Sequence, residues 1–209
     1  MLTVDPRAYS RQNGSQLREI PPDVPVRRAF GLDTTRHLAF RRRYPGLLAV
    51  PDPWISWWLG AVPAGLSLIR EYKPGLIWST FPITTASLVA LTLARISGLP
   101  WVADFRDPMT MDAYPANPTR RRAARWIERH TVARASRCVF TADHTLQMYT
   151  QRYPRLASRG VLIPNGYDEA NFPDVTLQAA EQGGDAGRRL KLVHSGALQP
   201  DGRHPGALF

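Results

Sequence analysis

Apolar positions recur along the chain in two alternating rhythms, one helical and one short and continuous. In residues 54–71, Trp54, Trp57, Trp58, Ala61, Leu66 and Ile69 return at helical spacing, which predicts a helix with one packing face that Pro63 should distort. Residues 75–80 form a compact apolar run bounded by turn residues and predict a buried strand. A helix is predicted over 83–97, ending at Gly98, and a short strand over 100–103. The alternation continues with a helix over 119–134, a strand over 137–141, a helix over 142–153 and a strand over 161–164 that stops at the turn signal Asn165-Gly166. Strands alternating with helices predict an α/β fold with a Rossmann-like parallel sheet.

The pattern is weaker at both ends. Residues 14–53 are rich in Arg, Pro and Gly and are read as loops with a short helix or two, the clearest periodicity lying at 38–44. Residues 175–189 hold little apolar content and read as a linker, after which 190–195 is again strand-like and runs into Gly196. The expected organisation is a domain over 1–174, a linker over 175–189 and the first strand and loop of a second domain over 190–209.

With 209 residues, 44% of them hydrophobic and 21% charged, the chain is of ordinary globular composition and long enough for one good core. Its formal charge of +10 favours an anionic partner or surface. A single cysteine, Cys138, excludes an intramolecular disulfide and a Cys-cluster metal site, and fits a cytoplasmic location. The first residues lack the cationic head and apolar run of a signal peptide. The uncharged stretch 74–94 reaches spanning length, but its Ser, Thr and Pro content predicts strand, turn and helix instead.

The sharpest chemical feature is WVADFRDP at 101–108, where an apolar strand gives way to Asp104, Arg106 and Asp107. Loops leaving the carboxyl ends of parallel strands line the usual ligand crevice, so an Asp here can orient or deprotonate an acceptor hydroxyl, and Arg106 can hold a phosphate or carboxylate. Structural ion pairing or capping is the plainer use of the same residues. Ser79 and Thr80 follow the preceding strand in the equivalent place and are read either as ligand contacts or as a helix cap.

No GxGxxG or P-loop run follows a strand, no serine lies in GxSxG, and the five histidines form no zinc motif, so no metal is expected. Cys138, inside a strand, is read as core. Arg41-Arg42-Arg43 before the tryptophan-rich segment, and the arginines at 120, 121, 122, 125, 129, 134 and 137, suit peripheral contact with an anionic membrane. They come without the aromatic or zinc signatures of a nucleic-acid binder, and no nucleic-acid partner is expected.

Taken in order, Pro51-Asp52, the run LIWSTFP at 76–82, LPWVADFRDP at 99–108, and IPNGYD at 163–168 with Phe172 beyond resemble the N-terminal half of a GT-B glycosyltransferase of the family 4-like group. The resemblance extends over 51–209. It implies transfer of a sugar from a nucleoside diphosphate sugar, with no further cofactor, to a glycan or lipid-linked acceptor, in the synthesis of cell-surface polysaccharide or glycolipid. It implies that Asp104, Arg106 and Asp107 face the catalytic cleft, that Ser79, Thr80, Asn165 and Asp168 lie on the substrate side, and that Gly196 and Arg203 approach the donor phosphates.

The same resemblance implies an incomplete fold. Such enzymes open with a strand and glycine-rich loop, whereas residues 1–4 here correspond to the second strand, and the donor-clamping basic residues and paired glutamates of the second domain are not matched. A non-catalytic acceptor- or membrane-binding fragment that requires a separate second half is the alternative expectation.

Overall fold

The computed structural model describes residues 1–9, 20–41 and 43–167. Met1–Asn165 forms one compact unit; Gly166–Phe209 is a second, described only at Gly166 and Tyr167. The expected linker and second-domain strand, and with them Asp168, Gly196 and Arg203, lie outside the described residues.

Two parallel sheets organise the first unit. The smaller pairs β1 (Leu2–Val4) with β2 (Arg27–Ala29). The larger runs in the order β3 (Ile77–Thr80), β4 (Trp101–Phe105), β5 (Arg137–Phe140) and β6 (Gly160–Leu162), all parallel. Helices connect and cover the strands: α1 (Thr34–His37), α2 (Trp57–Tyr72), α3 (Thr84–Ser97), α4 (Pro118–Arg134) and α5 (Asp143–Arg152). The expected α/β class, with parallel sheets and alternating helices, is the class observed.

Local chemistry explains the boundaries. Gly98 closes α3 at φ 74°, a left-handed conformation that costs glycine little. Asn117 starts α4 by accepting from the amides of Thr119 and Arg120, both at 3.0 Å, and Pro118 occupies a first-turn position where its missing N–H is harmless. In α5 no side chain caps the first turn, but Asp143 lies there, favourably placed toward the helix dipole.

Four departures from the sequence reading have physical causes. β2 falls where only loops and short helices are expected, because its two arginines are exposed and Ala29 alone carries the buried pattern. β3 is half-buried and not buried, with Trp78 55% exposed, because it is an edge strand of its sheet. β4 runs two residues further than expected, so Asp104 belongs to the strand itself. α2 starts at Trp57, leaving Trp54 in the preceding turn, and continues through Pro63.

The main core lies between the large sheet and α3, α4 and α5. Phe105 and Phe140 stack at 5.3 Å, and Tyr149 tilts against both at 5.0 Å. Cys138 is fully buried there, as expected, and burial pushes its thiol up to about 12. A second cluster joins Ala29, Ala61, Val89 and Leu93 beneath the small sheet. α2 approaches the chain so closely at Gly60 that a Cβ would collide with the Phe30 carbonyl oxygen.

Candidate functional site at the carboxyl ends of the strands

Alternation along β4 sends Trp101, Ala103 and Phe105 into the core and leaves Val102 and Asp104 half-buried on the opposite face. Register places Thr80 of β3 beside Asp104. The two side chains meet: Thr80 Oγ1 donates to Asp104 Oδ2 at 2.9 Å. Pairing of the strands continues one step beyond, where Phe81 N donates to Asp104 O at 3.0 Å. A carboxylate with a hydroxyl donor therefore sits at the carboxyl edge of two adjacent parallel strands, where ligands of open α/β sheets are bound.

Ser79 lies on the other face. Its Oγ accepts the indole N–H of buried Trp101 at 2.9 Å, a bond that satisfies a polar group the core would otherwise leave unpaired. Neither Ser79 nor Thr80 caps α3. That role falls to Asp52, which accepts from Thr85 N at 2.7 Å, Thr85 Oγ1 at 2.8 Å and Trp54 N at 3.0 Å. Desolvation pushes the Asp52 carboxyl above its ordinary range, opposed by the Thr85 and Trp54 hydrogen bonds and more weakly by Arg120.

Arg106 and Asp107 are exposed just past β4. Among the described residues neither forms an ion pair with the other or with Asp104, so the structural-pair reading of this segment finds no support there. The Arg106 carbonyl accepts from Thr141 Oγ1 at 2.8 Å, which ties the end of β4 to the end of β5. Asn165 is exposed three residues past β6, in the same unit as Thr80 and Asp104.

The segment after Asp107 is anchored from below by a carboxylate. Glu128 is fully buried and accepts from Thr110 Oγ1 (2.9 Å), Tyr149 Oη, Tyr153 Oη and Arg152 Nη1 (2.8 Å each). Tyr149 Oη in turn accepts from Met109 N at 2.9 Å, and Arg152 reaches the Thr110 carbonyl at 3.0 Å. Burial first, and then Glu128, hold both phenols above their ordinary range, which keeps them hydrogen-bond donors. Sequence reading misses Glu128 because its polar partners are scattered over 44 positions and meet only when α4, α5 and the loop fold together. Thr141 carries a signal in the sequence: like Thr80, it is a hydroxyl residue at the carboxyl end of a predicted apolar strand.

A separate exposed tip lies near α4. Phe40 and Arg43 exchange backbone hydrogen bonds at 2.8 and 2.9 Å around a turn in which Arg41 takes φ 50°. Phe40 is 75% and Leu47 80% exposed, with Arg41 placed over the Phe40 ring and Arg120 donating to Tyr44 Oη at 3.2 Å. No helix among the described residues is long and apolar enough to cross a membrane, and residues 74–94 divide into strand, turn and helix as expected.

The family model described as the Glycosyl transferase 4-like domain matches residues 2–166. That span starts well before the motif run at 51 and ends before the strand-like segment at 190. No curated protein matches the chain. With the match covering most of its length and the whole strand-end site, this chain belongs to the glycosyl transferase 4-like domain family.

Proposed function

We propose that this unit forms the acceptor-side wall of a glycosyltransferase that moves a sugar from a nucleoside diphosphate sugar to a hydroxyl of a glycan or lipid-linked acceptor. The observation that carries the reading is the Thr80–Asp104 pair at the carboxyl ends of β3 and β4, in a chain of this family. In the reaction a bond forms between the acceptor oxygen and the sugar's anomeric carbon, and the bond from that carbon to the diphosphate oxygen breaks. The acceptor proton must leave, and negative charge develops on the departing nucleoside diphosphate.

Asp104 is placed to accept the acceptor hydroxyl proton or to orient that hydroxyl, with Thr80 fixing the carboxylate's direction. Arg106 offers its planar fork of donors to the diphosphate, Asp107 is proposed as a further catalytic group, and Asn165 is proposed to contact substrate. Asp168, Gly196 and Arg203 are proposed to serve the substrate and donor-phosphate side. Ser79, engaged by Trp101, is a structural support for β4 in this scheme. The biosynthetic role proposed is cell-surface polysaccharide or glycolipid assembly at the cytoplasmic face of a membrane. The exposed Phe40 and Leu47 beside Arg41, Arg43 and Arg120 support contact with an anionic bilayer there.

The second reading, a non-catalytic acceptor- or membrane-binding wall that needs a separate donor half, gains support from the placement of the described candidate groups within one unit. Transfer from a panel of nucleoside diphosphate sugars to glycan and prenyl-phosphate acceptors, with the chain alone and with a candidate donor half, separates the two. Activity of the chain alone defeats the second reading. Where transfer is found, Asp104→Asn should lower kcat by roughly 100-fold or more if Asp104 is the base. An unchanged kcat in a folded Asp104→Asn protein would remove Asp104 from that role.

A further inference from the structure

The arginines of α4 divide between two faces of the helix. Arg120 is turned toward the exposed tip, where it donates to Tyr44 Oη. Arg122, Arg125 and Arg129 recur at intervals of three and four residues, so they share another face, and all three are exposed. With Trp126 of the same helix, and with Arg152 and Tyr153 at the end of α5, they line a cavity of about 520 Å³. Neither the tip nor the strand-end residues Thr80, Asp104 and Arg106 contribute to its lining.

One side of this cavity is fixed from within the protein. Arg152 reaches Glu128 Oε1 at 2.8 Å, and the Thr110 carbonyl and hydroxyl at 3.0 Å each, all through Nη1. Its Nε and Nη2 have no hydrogen-bond partner among the described residues. Buried Glu128 thus holds the guanidinium in place while leaving it donors to offer, and it holds Tyr153 through the phenol. Trp126 is steadied on the other side: its ring lies 4.1 Å from that of His130, whose Nδ1 donates to the Trp126 carbonyl at 2.7 Å. The side chains of Arg122, Arg125 and Arg129 have no hydrogen bond or ion pair among the described residues, and no acidic residue lines the cavity. Like charges three and four residues apart on a helix repel, and no described carboxylate offsets these.

We infer that this cavity is a binding site for a ligand carrying two or more linked phosphate groups. Glu128 neutralises one of the four guanidiniums, which leaves three charges uncompensated, whereas a single phosphate monoester brings only about −1.5 to −2 near pH 7. The three arginines also spread over about 10 Å of helix axis, a reach suited to linked phosphates and not to one. Guanidinium forks bind phosphate oxygens in pairs, and a guanidinium already held in position loses less freedom in doing so. The volume lies within the ordinary range of small-ligand sites. The inference needs no sugar transfer and stands apart from the strand-end chemistry and from membrane contact at the tip.

The test uses the whole chain, with inorganic pyrophosphate and tripolyphosphate as probes and orthophosphate, sulfate and a short polyglutamate as controls at matched ionic strength. Binding is read by calorimetry and by the side-chain Nε–H shifts of the arginines. The predicted result is that at least one of the two probes binds about tenfold or more tightly than every control, moving the signals of Arg122, Arg125, Arg129 and Arg152. Arg125→Gln combined with Arg129→Gln should weaken that binding by about tenfold or more without moving the urea midpoint, since both side chains are exposed. Arg41→Gln combined with Arg43→Gln, at the tip, should leave it unchanged. Phosphatidylcholine vesicles carrying a long-chain prenyl diphosphate separate the two sources of such a group: binding displaced by pyrophosphate assigns a lipid headgroup, and pyrophosphate binding without vesicle binding assigns a soluble ligand. No binding of either probe, affinity no greater than that for sulfate or polyglutamate, or equal loss in the two double variants would overturn the inference. So would binding to phosphatidylglycerol vesicles with none to the free probes, which would make this face a general anionic contact.

Discussion

Asp52 and Glu128 show how two carboxylates of similar surroundings do different work. Asp52 caps α3 from a distant loop, and Asp52→Ala should cost about 1–2 kcal/mol in urea unfolding by leaving the Thr85 and Trp54 amides unpaired. Its folded pKa is raised, so its titration favours the folded state fully below the unfolded value near 3.8 and loses that advantage as pH rises through the folded value. Stability measured for the native chain relative to Asp52→Asn should therefore fall as pH is raised from about 3.8 into the neutral range; a rising difference would contradict the placement. Glu128 is held by four side-chain donors, one of them cationic, and Glu128→Ala should cost about 3–5 kcal/mol because it strands Arg152, Thr110 and two phenols. These roles differ in legibility. Asp104 announces itself by ending an apolar run, whereas Glu128 sits in an arginine-rich helix and looks like a surface acid until α5 is folded onto it. Ser79 and Thr80 look equivalent in sequence, and only strand alternation turns one toward Trp101 and the other toward Asp104.

Elements with strong periodicity or clear punctuation were readable: α3 with Gly98, α4 with its arginines, and the succession of β4, α4, β5 and α5. What escaped reading depends on neighbours. β2 is three residues long and largely exposed, so it has no pattern until β1 lies beside it. The extra length of β4 comes from its pairing with β3 and β5, which carries Asp104 and Phe105 into the ladder. α2 belongs to the same class, since its position depends on contact without a side chain. Gly60 lets the helix lie against the Phe30 backbone, and Gly60→Ala should destabilise the chain by about 1–3 kcal/mol, read as a lower urea midpoint. A midpoint equal to that of the native chain would mean that α2 is not packed so tightly there.

At the scale of the molecule, one unit presents chemically distinct surfaces: a carboxylate-centred strand end and a basic, apolar tip. The tip should partition onto vesicles. Phe40→Ser combined with Leu47→Ser should weaken binding to phosphatidylglycerol vesicles by about tenfold or more while leaving the urea midpoint unchanged, since both side chains are exposed. Equal binding by the double variant would leave arginine charge as the sole attraction. The family and the α/β class were legible because the strand-end motifs fall in sequence order, whereas the pairing of β1 with β2 required the assembled sheet. Substrate is proposed to meet this chain at the carboxyl ends of β3, β4 and β5. That placement is tested most directly by amide chemical-shift mapping during titration with nucleoside diphosphates and with prenyl-phosphate and disaccharide acceptors. The predicted result is that shifts cluster at Thr80, Phe81, Asp104, Phe105, Arg106 and Thr141 and weaken in Asp104→Asn. Shifts confined to other surfaces, with these six unmoved by every probe, would contradict it.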